Sequence, residues 1–154
     1  MKCSKIIPLF KTGEKTDLNN YRPVSVLPTL SKIFEKIILN QMLNHFSNNK
    51  LLHPEQYGFT KGRNATDAGA RLLKHIFEAW EASQNAIGVF CDLSKAFDCV
   101  EHKTLLLKLG HYGIKNKALS LIASYLSDRI QKVSINDIKS SGSPAVMGVP
   151  QGSI

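Results

Sequence analysis

Residues 86–98 read AIGVFCDLSKAFD, and the conformation of this stretch decides the architecture. Residues 86–93 are a nearly continuous apolar run of strand length, as expected for a strand buried on both faces. The run carries Asp92 near its end. A carboxylate at the C-terminal edge of a strand is costly unless something compensates, and a divalent cation is the usual compensator. A local reading competes with that one, because an Asp before Ser94-Lys95-Ala96 is a good cap for the turn that follows. Periodicity alone leaves both open.

Upstream, residues 5–10 (KIIPLF) read as an extended run, with Pro8 restricting it to an edge position. The polar stretch 11–20 (KTGEKTDLNN) is a turn region, and YRPVSVL at 21–27 returns as a second strand, supported by the β bias of the residue before Pro23. Leu30, Ile33, Phe34, Ile37, Ile38, Met42, Leu43 and Phe46 recur at helical spacing, with Pro28 and Thr29 as the start signal. Residues 48–63 read as a loop. A second amphipathic helix begins near Asn64, with Ala65, Ala68, Leu72, Leu73, Ile76, Phe77 and Trp80 on one face; both stripes read as core. Downstream, helices are expected at about 101–111 and 116–127, divided by Gly113, then an alternating strand at 130–136 and a turn at Asn136-Asp137. The fold class is α+β (mixed α/β).

The 154 residues, 43% of them hydrophobic, suffice for a core of ordinary size. Twenty basic against twelve acidic residues give a net charge of +8. Residues 1–63 hold ten Lys/Arg and four Asp/Glu, a net of +6, whereas residues 64–154 hold ten and eight. A basic N-terminal part favours a polyanionic partner, since each neutralised phosphate releases counterions; a solvated surface is the plainer reading. Cys3, Cys91 and Cys99 have no metal spacing and form no even disulfide set, and Cys91 reads as a buried small hydrophobe. An intracellular, reducing compartment is expected. No apolar run approaches membrane-spanning length, and the first residues, MKCSKIIPLF, read as too short and too interrupted for a signal peptide. The five histidines share no metal spacing, and Ser94 and Ser153 lack a neighbouring base. Both ends read as cut.

FCDLSKAFD, read as aromatic-x-Asp-x-x-x-Ala-Phe-Asp, resembles the first palm motif of reverse transcriptases of the non-LTR retrotransposon (LINE/jockey-like) type. NNYRPVSVLPTLSKIFEKII resembles the family's fingers segment, QYGFTKGRNATDA its next block, and GVPQGSI its following palm motif. The four blocks stand in the family's order and span nearly the whole chain. The resemblance implies fingers and a partial palm of a right-hand polymerase, truncated: residues 1–85 a fingers-like segment, residues 86–154 a partial palm. It also implies RNA-directed DNA polymerase chemistry, with an RNA template, a DNA primer, dNTPs and two Mg²⁺ ions that stabilise the attacking and leaving oxygens. It implies no membrane partner and says nothing of oligomeric state.

Residue by residue, Asp92 matches the family's first metal-binding, catalytic aspartate. Phe97 matches the bulky residue beneath the incoming sugar, where a rigid ring rejects a ribose 2′-hydroxyl; otherwise it is a core aromatic. Asp98 reads as a turn or capping residue. Arg22 matches the fingers arginine on the incoming triphosphate, a task suited to a planar guanidinium. Lys11 is the expected second triphosphate contact, with Lys15 as its rival and ordinary surface charge as the plain alternative. Gln151, between Pro150 and Gly152, matches the glutamine near the nucleotide and templating base, and Gly148 and Gly152 would let backbone approach a ligand closely. Lys61 and Arg63, on a loop entering a helix, suit the nucleic-acid backbone, with Phe59 nearby as a packing or stacking ring.

Two other assignments compete: a polymerase like the group II intron maturases, which share several of these blocks, and a non-catalytic RNA-binding remnant. A small structural protein would leave four ordered matches to coincidence. The family's next motif supplies two further carboxylates as an Asp-Asp pair, and no such pair occurs in these 154 residues. One carboxylate does not hold two magnesium ions. Incubated with a primed RNA template and dNTPs, the 154-residue chain is therefore expected to give no primer extension; measurable extension on a sequencing gel refutes this.

Overall fold

Two short extended runs flanking a polar loop make the first hairpin. In the computed structural model, which describes residues 2–152, these are β1 (Cys3–Phe10) and β2 (Tyr21–Val26), antiparallel with Pro8 opposite Pro23. Neither proline has an N–H to donate, so they oppose each other at a position where the ladder asks for none. The edge role expected from Pro8 is corrected by the pairing: β1 lies inside the sheet. Its other side pairs in parallel with β3 (Arg129–Ile135), over Cys3–Ile6 only, and Pro8 lies beyond that overlap.

The far edge of β3 takes two short antiparallel strands, β4 (Ile138–Lys139) at Ser134 and Ile135, and β5 (Ser143–Ala145) at Arg129–Gln131. Asn136 and Asp137 both have positive φ, 47° and 65°, as a tight hairpin turn demands. The expected turn is present. The result is a mixed sheet with four helices, a mixed α/β arrangement as the residue patterns require.

The helices fall where the periodicities put them: α1 (Thr29–Asn48), α2 (Ala65–Glu81), α3 (His102–His111) and α4 (Asn116–Leu126). Helix α2 starts on a complete capping box, the Asn64 side chain accepting from Asp67 N and the Asp67 carboxylate from Asn64 N, both at 3.0 Å. Between α3 and α4 the chain reverses at Gly113, φ +90°, a conformation glycine takes without cost.

The expected strand at 86–93 does not form. A doubly buried strand needs a neighbour on each side to satisfy its amides, and residues 86–93 pair with no strand. The run is exposed instead, Ile87 at 90% and Phe90 at 85%, and Cys91 is exposed rather than buried. The apolar stripes of α1 and α2 also differ from expectation, with Ile33, Ile37, Leu73, Phe77 and Trp80 exposed. Helical spacing forms a stripe locally, but burying it requires another layer, and among the described residues the closest element packing is within the sheet and between α3 and α4. Among the described residues, Ile6, Leu27, Leu109, Ile114, Leu126 and Pro150 are buried and apolar.

The chain divides into two compact units, Met1–Asn44 with Ser94–Ile154, and His45–Leu93. In the first, α1 and α4 are joined by a polar contact: Tyr125 donates its hydroxyl to Glu35 Oε1 at 2.6 Å, and the Arg129 guanidinium stacks on the Tyr125 ring at 4.8 Å. Burial, then the adjacent Glu35 carboxylate, pushes the Tyr125 hydroxyl well above the usual tyrosine range. The folded state thus holds this proton more tightly than the unfolded chain. Its contribution to stability is complete below the unfolded value of about 10 and declines as pH rises beyond it. Tyr125→Phe is expected to cost about 2 kcal/mol at neutral pH through the lost charge-assisted bond. It should also flatten the fall in stability above about pH 10, both read from urea unfolding midpoints.

Candidate functional site

The polar loop between β1 and β2 is held by its own bonds. Lys11 N donates to Asn20 O at 2.8 Å, Asn20 Nδ2 to Glu14 O at 2.9 Å, and the Tyr21 hydroxyl to Lys15 O at 2.9 Å. Asp17 caps the single 3-10 turn Leu18–Asn20, its Oδ1 accepting from Asn19 N and Asn19 Nδ2 at 2.9 and 3.1 Å. These bonds fix the bases of the Lys11 and Lys15 side chains beside Arg22 on β2. Lys11, Lys15, Arg22, Lys95, Asp98 and Gln151 line one cleft of about 710 Å³, floored by apolar residues of β1 and β3. Four cations and one carboxylate give this lining a net charge of +3. Among the described residues, Asp98 forms no salt bridge with any of the four.

The segment carrying Gln151 is fastened on two sides. Ser25 N, on β2, donates to Gln151 O at 2.6 Å. Gly148 N donates to Val100 O and Val149 N to Phe97 O, both at 2.8 Å, and His102 Nε2 lies 2.7 Å from Gly148 O. A Cβ at Gly148 would stand 2.9 Å from the Asp98 carbonyl oxygen, and one at Gly152 2.9 Å from that of Ser25, with φ of +81° and +102°. The close approach expected at these glycines is therefore to the protein's own backbone. They bring three segments together: β2, the turn at 94–100, and the Pro150-Gln151-Gly152 run.

Of the residues singled out in the sequence, Lys11, Arg22 and Gln151 meet in the cleft, and Lys15 joins Lys11 rather than replacing it. Phe97 is adjacent but does not line it; its carbonyl anchors Val149, and the residue is 40% exposed. Asp98 lines the cleft and its N–H closes the turn onto Lys95 O at 2.9 Å, so its backbone has the expected turn role. Lys95 itself was not singled out, although it lies between Asp92 and Phe97 in the same block. In the second unit, Asp92 is exposed on a segment without regular secondary structure and is not at a strand edge. Lys61 is exposed on the loop before α2. Arg63 folds back on that loop, donating to Pro54 O and to Gln56 O and lying 5.1 Å over the Tyr57 ring. No group of three or more His, Cys, Asp or Glu side chains able to hold a metal ion occurs among the described residues. Asp92 alone does not make a two-ion site, and no step is routed through one. No helix among the described residues is long and apolar enough to cross a membrane.

Residues 12–154 match the family model for reverse transcriptase (RNA-dependent DNA polymerase). The chain belongs to the reverse transcriptase family. Its similarities lie with jockey-like non-LTR retrotransposon polymerases. The RNA-directed DNA polymerase from mobile element jockey of Drosophila melanogaster is 38% identical over 154 residues, 99% of this chain and 17% of the relative. The probable RNA-directed DNA polymerase from transposon BS of the same fly is 33% identical over 162 residues, 99% of this chain and 17% of the relative. The jockey polymerase of Drosophila funebris is 32% identical over 152 residues, 98% and 16%. This reverse transcriptase segment thus spans about a sixth of the length of these relatives.

The glycine contacts lead to a stability comparison within the first unit. Gly142, φ +100°, would place a Cβ 3.0 Å from side-chain atoms of Ile130 and Lys132, of which the lysine can swing aside. Gly148 would meet backbone. Both alanine variants carry the left-handed cost of about 1–2 kcal/mol. Gly148→Ala should lose at least about 1 kcal/mol more than Gly142→Ala, since backbone cannot yield as a lysine stem can. Chemical denaturation of the two variants side by side checks this.

Proposed function

We propose that the cleft of the first unit binds the triphosphate of an incoming dNTP, and that the chain is the nucleotide-binding part of an RNA-directed DNA polymerase. In this reading residues 1–85 are the fingers-like segment and residues 86–154 the partial palm, acting on an RNA template, a DNA primer and dNTPs. The observation that supports it is the convergence of Lys11, Lys15 and Arg22 with Gln151 on one cleft of net positive charge. Three cations from a self-braced loop and its adjoining strand suit a polyphosphate, which presents several oxyanions a few ångströms apart. Arg22 serves as the bidentate donor and the lysines as point charges.

Gln151 is held by Ser25 through its backbone, which leaves its side-chain amide for the nucleotide and the templating base. Phe97, fixed by the Val149 contact, is assigned to the sugar, where a ring clashes with a 2′-hydroxyl. Lys61 and Arg63 are assigned to the template backbone, Lys61 through its ammonium and Arg63 through guanidinium donors that the loop carbonyls do not use. Reverse transcriptases generally employ divalent metal ions. Asp92 offers the hard carboxylate oxygen that Mg²⁺ prefers, as one ligand of a set these residues do not complete.

The test is calorimetric titration of the chain with dTTP. Arg22→Ala should weaken binding by about tenfold or more, the loss expected for a charge-assisted bidentate contact of about 1.5–3 kcal/mol. Arg22→Lys should recover only part of that, and Lys11→Ala should weaken binding while steepening no salt dependence. Unchanged affinity in Arg22→Ala and Lys11→Ala would sink the assignment.

A further inference from the structure

We infer that Lys95 is a further triphosphate ligand, reaching the cleft from the turn at 94–99 and kept on Asn19 until an oxyanion displaces it. The inference rests on the nucleotide reading of the cleft. Lys95 Nζ donates to Asn19 Oδ1 at 3.1 Å, a bond between residues 76 apart in the chain. It links the turn at 94–99 to the loop that carries Lys11 and Lys15. Lys95 also lines the same cleft as those lysines, Arg22 and Gln151.

The two ends of this side chain are held differently. Its backbone is fixed: φ is +54°, and its carbonyl accepts from Asp98 N at 2.9 Å and Cys99 N at 3.1 Å. The same turn is tied to the 148–149 backbone through Phe97 O and Val100 O. The ammonium, by contrast, is held by a neutral amide oxygen, Asn19 Oδ1, which is aimed by the bonds from Asn19 N and Nδ2 to Asp17. A phosphate oxyanion is a stronger acceptor for an ammonium than a neutral amide, by roughly a factor of two in bond energy. The four-carbon stem can turn without moving the fixed turn. Asp98 is the one carboxylate in the lining and forms no ion pair with Lys95 that would hold it back. Exchange of Asn19 for phosphate is therefore downhill for the ammonium, and Lys95 adds a fourth cation to the cradle.

A brace and a ligand predict opposite consequences at Asn19. Titration of the chain with inorganic tripolyphosphate and with dTTP separates them. Lys95→Met keeps the stem and the left-handed strain while removing the charge; it should weaken both ligands about tenfold, as loss of one charge-assisted contact implies. Lys95→Arg should restore most of the affinity. Asn19→Ala removes the competing acceptor and should leave affinity unchanged or tighten it severalfold, with no such effect when Lys95→Met is already present. Asn19→Ser, which keeps a small polar residue in the turn, serves if the alanine variant misfolds. If Asn19→Ala weakens binding as much as Lys95→Met does, the bond is only a brace and the inference is overturned. If Lys95→Met binds normally while Arg22→Ala does not, the inference fails and the nucleotide cleft survives. If neither variant matters, the cleft reading itself has failed.

Discussion

The amide of Ser25 meets the carbonyl of Gln151 at 2.6 Å, and the arrangement of the cleft follows from that contact. It ties a residue near the C-terminal end to the first hairpin, so Gln151 shares a cleft with cations from the loop between β1 and β2. The contact exists because position 152 carries no side chain, just as the docking on Asp98 exists because position 148 carries none. Two glycines with positive φ thus set the spacing of three chain segments. Their role is steric and conformational at once, which is why substitution there is costly whatever the new side chain.

Around this junction the charges are arranged with little mutual compensation. Four cations line the cleft against one carboxylate, and the loop that carries two of them is stiffened by bonds that use backbone and uncharged or acidic side chains. The loop bonds position the lysines without neutralising them. The cost of holding like charges together is limited by solvent, since the cleft is open and its charged groups are largely exposed. An incoming polyanion would remove that repulsion, which is the physical basis of the nucleotide reading.

The second unit is organised by different means. Arg63 closes its loop on carbonyl oxygens and on Tyr57, Glu55 pairs with Arg71 at 3.2 Å, and the Asn64–Asp67 box starts α2. These are local bonds. They order the loop and helix without burying the apolar face of α2, whose Trp80 remains 74% exposed. The segment with Asp92 follows this helix and pairs with no strand.

What was legible in the residues was whatever depends on near neighbours. The 3.6-residue spacing located the two long helices, Gly113 marked the division between the two shorter ones, alternation located β3, and Asn136-Asp137 located its turn. The family was equally legible, because its blocks are short local strings around Asp92, Arg22, Lys61 and Gln151. Tertiary structure alone decided which strand lies beside which: β1 became central despite Pro8 because its overlap with β3 stops short of the proline, and the run at 86–93 pairs with no strand. It alone decided that the helical stripes remain exposed, that Gly148 and Gly152 admit the backbone of Asp98 and Ser25, and that Lys95 meets Asn19. Periodicity and caps are set within a turn or two of chain, whereas pairing and burial depend on residues a hundred positions away.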